Sequence, residues 1–274
     1  MSMEQDKRNR LTIRIGSHSM AFSAADPTTV GGIVYEPYTT KCGISMAANL
    51  REAFMKSPLL GRGYSRVQVL LDSPVLMVPI AEFHEEDIEK LYQYSFTKPQ
   101  GTEDRKQELV MHRVLPELNV VAVFSVNKDL KLVIDDHFAD SIFMPLAQPV
   151  WTYLHRRSFT GSRRKLYAYF HDKKMELMAY SQNRFKYANT FQTARAHDAL
   201  YFILYVWKQL GYDNESDELH LAGALPEEQW LTERLHTYLQ RVFVISPAAD
   251  FNGLPAARIK NIPYDILAIY QNIL

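Results

Sequence analysis

Cysteine is nearly absent from this chain: Cys42 is the only one among 274 residues. No intrachain disulfide can form, which excludes the disulfide-stapled secreted scaffolds and suits a reducing compartment. Nothing around Cys42 forms a nucleophile signature, so it reads as a structural thiol. Net charge is also absent, since Lys+Arg and Asp+Glu both total 31. That balance removes any general pull toward nucleic acid or an acidic surface. Long apolar runs are missing. A spanning helix needs ~18 consecutive apolar residues, and the most apolar stretch, "ALYFILYVW" at 199–207, reaches only half of that. The opening "MSMEQDKRNR" is polar and lacks the apolar core of a signal peptide. A cytoplasmic location is expected. There is no Gly-x-Ser-x-Gly elbow, Walker loop, Cys-x-x-Cys pair or His-Glu-x-x-His zinc pattern.

What is present is an ordinary globular composition, 47% hydrophobic and 23% charged. The length suffices for one large domain or two of ordinary size. Strand character appears at 11–15, 20–25 and 31–38, followed by a helix at 45–56 whose Met46, Leu50, Ala53 and Phe54 share one face. Strands at 66–71 and 75–79 follow. The acids of His84-Glu85-Glu86-Asp87 suit the positive end of a helix running to about Phe96. After a polar loop come strands at 110–115 and 120–125, a helix from about Asn127 to Phe138, a short strand at 141–145 and a helix through "PVWTYLHRR". "SFTGSRRK" at 158–165 is the best linker. Beyond it, strands at 166–170, 175–180 and 184–191 are joined by the turns "HDKK" and "SQNR". A helix at 194–210 ends at Gly211, and strands at 219–222 and 242–246 alternate with helices at 226–240 and 264–273.

Both halves repeat one order: three strands, helix, strand, helix, strand, helix. The first adds an insertion at about 72–118. Mixed sheets covered by helices follow, in two α/β domains of residues 1–160 and 161–274. Three further constellations have plain explanations. Asp135, Asp136, His137 and Asp140 are metal-binding types, but acids at a helix end form a solvated edge, and no metal is expected. Arg156, Arg157, Arg163, Arg164 and Lys165 crowd the linker, and the neutral net charge favours ordinary surface bases over a nucleic-acid patch. The aromatic run at 199–207 is apolar all round, which predicts a buried central helix.

Two domains that each open on a three-strand meander resemble the actin-like ATPases, with two RNase H-like domains around a cleft. "LTIRIGSHSMAF", "VLLDSPVLMVPIAEFHEEDIEKLYQYSF" and "ELHLAGALPEEQWLTERLHTYL" resemble, in order, the opening strand and phosphate turn, the strand pair with its acid-led helix, and the adenosine turn of one branch. That branch holds the type IV pilus assembly protein PilM and the general secretion pathway protein L. The order of elements over 11–274 also suits a bacterial family of unknown function with this fold. The resemblance implies an Asp-x-Gly-type loop at each meander, where glycine admits phosphate to the backbone and aspartate holds Mg²⁺. Here the first triplet is Arg14-Ile15-Gly16 and the second Tyr169-Phe170-His171, where Asp172 substitutes only if the turn slips. The adenosine turn keeps Gly223 but has Ala224 in place of a second glycine.

The resemblance therefore implies a candidate cleft of Arg14, Gly16, Ser17, Ser19, Asp172 and Gly223, with no catalytic residue and no cofactor, ATP being the alternative. Arg14 is expected to face the cleft and to attract a carboxylate, with Asp172 or another cleft acid as partner. The implied role is a protein-interaction scaffold with another protein as partner, neither membrane-inserted nor binding nucleic acid. The alternative is a nucleotide-binding protein or slow ATPase.

Overall fold

The computed structural model describes residues 10–96, 107–181 and 184–271. The first meander forms as expected from β1 (Leu11–Ile15), β2 (Met20–Ala25) and β3 (Ile33–Tyr38). Helix α1 (Met46–Lys56) follows, with Ser45 Oγ accepting the Ala48 N–H as its N-cap. β4 (Arg66–Leu71) then pairs parallel with β1, and β8 (Asp140–Pro145) pairs parallel with β4. The sheet order is β3-β2-β1-β4-β8. Between β4 and β8 lies a second, three-stranded sheet of order β5-β7-β6, built from β5 (Val75–Pro79), β6 (Glu108–Leu115) and β7 (Val120–Asn127). Helix α2 (Ile88–Ser95) packs on it, preceded by one 3₁₀ turn at Glu85–Asp87.

One expectation is corrected here. The strand at 120–127 pairs with β5 and β6, not with the main sheet, so the insertion runs to Asn127. Asn127 then caps α3 (Lys128–Asp135) through its side chain. Helix α4 (Gln148–Ser158) completes the first half.

The second half repeats the plan. β9 (Lys165–His171), β10 (Lys174–Ser181) and β11 (Arg184–Gln192) form the meander, and β12 (Glu218–Gly223) and β13 (Val242–Val244) add parallel to β9, giving the order β11-β10-β9-β12-β13. Helices α5 (Ala196–Gln209) and α6 (Glu228–His236) cover the face away from the first half. After a short helix α7 (Pro247–Asp250), the last helix α8 (Tyr264–Tyr270) packs beside α4. One apolar core holds α4, α8 and residues of both five-stranded sheets, including Leu70, Tyr167, Tyr169 and Ala222. The two sheets thus share a helical filling, and α1 and α3 close the outer face of the first sheet.

The buried central helix is α8, not 199–207. All seven residues of α8 are buried. On α5 the buried residues are Ala196, Ala199, Ile203, Val206 and Trp207, while Tyr201 and Tyr205 stack on each other on the exposed face. Tyrosine carries a polar tip that water tolerates, so an aromatic run need not be buried on every side.

The basic linker is largely neutralised from within. Arg157 pairs with Asp250 (2.5 Å), Arg164 with Asp217 (2.5 Å) and Arg163 with Glu218 (3.7 Å). Lys165 opens β9, is buried, and donates to the Thr160 carbonyl. The acidic helix end is similarly occupied: Asp135 accepts from Lys131 and Ser141, Asp140 from Arg10, and His137 stacks on Phe54. Cys42 is exposed, and no helix among the described residues is long and apolar enough to cross a membrane.

Candidate functional site

The two meanders place their first turns face to face. β1 ends at Ile15, and Gly16 to Ser19 turn back into β2, with the Gly16 N–H donating to the Ser19 carbonyl (2.8 Å). β9 runs one residue further than the sequence suggests, to His171, which pairs with Lys174 across a two-residue turn of Asp172 and Lys173. Both turn residues have positive φ, 43° and 62°. Such a tight hairpin demands left-handed backbone at both positions; aspartate accepts it, while lysine is strained there. The turn does not slip. It projects Asp172 across the gap instead.

Asp172 Oδ1 accepts from Ser19 (2.6 Å) and Oδ2 from Arg14 (2.8 Å). Its carboxylate fills the space that any side chain at Gly16 would need: a Cβ there would lie 2.6 Å from Oδ2. Arg14 is 5% exposed, and its Nε donates to both oxygens of Asp265 (3.0 Å) on α8 while Nη1 donates to Ser19 (2.8 Å). Asp265 is fully buried and also accepts from Tyr169 (2.7 Å). A buried guanidinium thus bridges two carboxylates from the second half, and the Ser19 and Tyr169 hydroxyls add hydrogen bonds to the cluster. Burial opposes the charge on Arg14, but Asp265, Tyr169 and Asp172 outweigh it. Burial would likewise raise Asp172, yet His171, Arg14 and Ser19 hold it well below the usual carboxylate range.

A second bridge lies beside the first. Asp72, just past β4, accepts from Ser17 (2.5 Å) and from Lys174 at both oxygens (2.8 Å). His171 is 4% exposed; its Nε2 meets Glu176 (3.2 Å), which also accepts from Trp151 Nε1 (2.7 Å). Burial disfavours the imidazolium, but Asp172 at 3.6 Å and Glu176 outweigh it and lift His171 to about 9. Among the described residues, Asp72, His171 and Asp172 form the one group whose ligand atoms, all within 4.8 Å of one another, could hold a metal. Lys174 and Arg14 already sit on those carboxylates, so a divalent ion would have to displace a cation.

Of the residues expected from sequence, Arg14, Gly16, Ser17, Ser19 and Asp172 converge, and Asp172 is indeed a partner of Arg14. Gly223 serves differently. Its φ is +91°, and a Cβ would strike the Phe170 carbonyl oxygen at 2.1 Å, so it lets β12 end against β9. Asp265, Tyr169, Asp72, Lys174 and Glu176 escape the sequence reading. Asp265 alone carried a signal, as a single acid in the otherwise apolar "YDILAIY".

Two domains of this topology meeting on paired meander turns define the actin-like ATPase fold. The chain belongs to the family described as "Protein of unknown function (DUF3822)", whose model matches residues 1–242. A protein of Bacteroides thetaiotaomicron with actin-like ATPase fold and unknown function is similar at 27% identity, covering 93% of this chain and 98% of its own, with a TM-score of 0.78. The PilM-PilN type IV pilus biogenesis complex follows the fold at 11% identity and a TM-score of 0.54, over 97% of this chain and 99% of that one. The cytoplasmic domain of EpsL from the Vibrio cholerae type II secretion system shares 13% identity over 96% of this chain and 93% of that one, at a TM-score of 0.44. Among curated proteins, none matches this chain.

Proposed function

We propose that this protein is a non-catalytic, cytoplasmic scaffold of actin-like fold, in which the nucleotide cleft is replaced by an internal ion-pair cluster and the surface engages another protein. The domains are taken as 1–160, with the insertion inside it, and 161–274. The observation that carries the reading is Asp172. Its carboxylate lies against Gly16 and Ser19, where a glycine turn would otherwise admit a phosphate anion, and Arg14 clamps it there. An ATP phosphate would have to expel that carboxylate, and Mg²⁺ would meet Arg14, at a cost of a few kcal/mol at ~4 Å even in a screened cleft. PilM, found in a complex with PilN, supports a partner-holding role by analogy of fold alone.

The alternative is nucleotide binding, with Gly16, Ser17, Ser19 and Gly223 around the ligand and Arg14 pairing phosphate oxygens in place of Mg²⁺. Calorimetry and thermal melting with millimolar ATP, with and without Mg²⁺, separate the two. The scaffold reading expects no heat and no shift in melting temperature. It also expects Arg14→Asp to loosen the cleft without producing ATP hydrolysis. Mg²⁺-dependent turnover by the unmodified protein would overturn it.

A further inference from the structure

Helix α5 covers the side of the second half that faces away from the ion-pair cluster, so what it presents to solvent does not depend on the state of the cleft. Its buried residues, Ala196, Ala199, Ile203, Val206 and Trp207, lie on one side. Asp198, Tyr201, Tyr205 and Lys208 follow the spacing i, i+3, i+7, i+10, which sets them along the opposite side. All four are exposed, Tyr201 at 63% and Tyr205 at 51%. The two tyrosine rings stack with centroids 6.1 Å apart and planes at 14°, so they stand as one ridge. Asp198 is in the first turn of the helix and Lys208 in the last. Neither forms an ion pair with any of the described residues.

The order of these residues is symmetric about Ile203. Tyr201 and Tyr205 flank it at equal distance, and Asp198 and Lys208 do the same further out, with opposite charge. A two-fold axis over Ile203 therefore brings Tyr201 of one copy onto Tyr205 of another, and Asp198 of each onto Lys208 of the other. Such an isologous contact is complementary to itself. The charges also select the antiparallel arrangement, since parallel α5 helices would set acid against acid and base against base. Tyrosine suits the centre of an interface because it buries a large apolar body while its hydroxyl keeps a polar partner. A partner of another kind would have to supply the acid–aromatic–base order; a second copy already carries it.

We propose that α5 is a homodimerisation surface, on which two copies of this chain pair antiparallel through Tyr201 and Tyr205 with Asp198–Lys208 ion pairs at both ends. The helix has 14 residues, a length of about 21 Å at ~1.5 Å per residue. One helix against one helix falls short of the roughly 1,200 Å² that standard interfaces bury, so the association is reversible and depends on concentration.

The test is sedimentation velocity of the full chain from about 1 to about 200 μM, across which a shift from monomer to dimer is expected. Asp198→Lys and Lys208→Asp each place like charges at both ends and are expected to weaken the dimer about tenfold or more. The double variant exchanges the charges and is expected to return to within about threefold of the unmodified chain. Within one copy the two positions are about 15 Å apart along the helix, beyond ion-pair reach, so this recovery reads a contact between copies. Tyr201→Ala combined with Tyr205→Ala is expected to abolish the dimer while melting stays cooperative. Should Asp198→Lys, which loses an acid at the positive end of the helix, fail to fold, the tyrosine variant carries the test. A monomer at every concentration, a dimer that survives removal of both tyrosines, or a charge-exchanged variant no tighter than the single ones would each overturn the proposal.

Discussion

Arg14→Met is the sharpest test of whether the ion-pair cluster holds the two halves together. The guanidinium touches Asp172 at 2.8 Å and Asp265 at 3.0 Å. At an effective dielectric of about 20, each such attraction is worth on the order of 4 kcal/mol. Part of this is offset because methionine no longer pays the guanidinium's desolvation, several kcal/mol for a buried ion. Two carboxylates are left facing each other, however, and Asp265 is fully buried. Removing one side of a buried pair costs about 3–5 kcal/mol. For a chain of this size that corresponds to a fall in melting temperature of roughly 6–20 °C. Urea unfolding should show the same loss as a lower midpoint at unchanged slope. The companion Asp265→Leu removes the most buried partner, and the double variant should recover about 2 kcal/mol or more relative to the sum of the singles. A loss under 1 kcal/mol for Arg14→Met, or strict additivity in the cycle, would refute the claim that this cluster bridges the halves.

Raising pH should weaken the protein through His171. Its folded proton affinity is raised to about 9 against an unfolded value near 6.5, so its contribution is fully present below pH ~6.5 and disappears as pH rises through about 9. The size is at most about 3 kcal/mol, and His171→Gln should flatten the stability profile between those limits; an unchanged profile counts against it. Gly223→Ala should destabilise by about 3 kcal/mol or more, since its Cβ would meet the Phe170 carbonyl at 2.1 Å with φ at +91°; urea midpoints check this. Lys173→Gly should stabilise by roughly 0.5–1 kcal/mol by relieving left-handed backbone at φ 62°. A fall in melting temperature would show that the lysine side chain contributes more than the strain costs.

The sequence alone determined the element order, because period-two and period-3.6 alternation are properties of neighbours in the chain. The two meanders, the Asn127 cap and the Arg14-Ile15-Gly16 turn were all legible in that way. The family resemblance placed Arg14 facing the cleft, where a cation attracts a carboxylate. What only the tertiary structure decided is which acids answered, and which helix filled the centre. Asp265 lies 251 residues from Arg14, and no local pattern couples positions so far apart. From sequence the insertion ends at about 118, short of the strand at 120–127, because apolar alternation says which face is buried, not which neighbour a strand pairs with. Tyr201 and Tyr205 looked like core for the same reason: composition reports affinity for the interior, and packing geometry decides which apolar residues reach it.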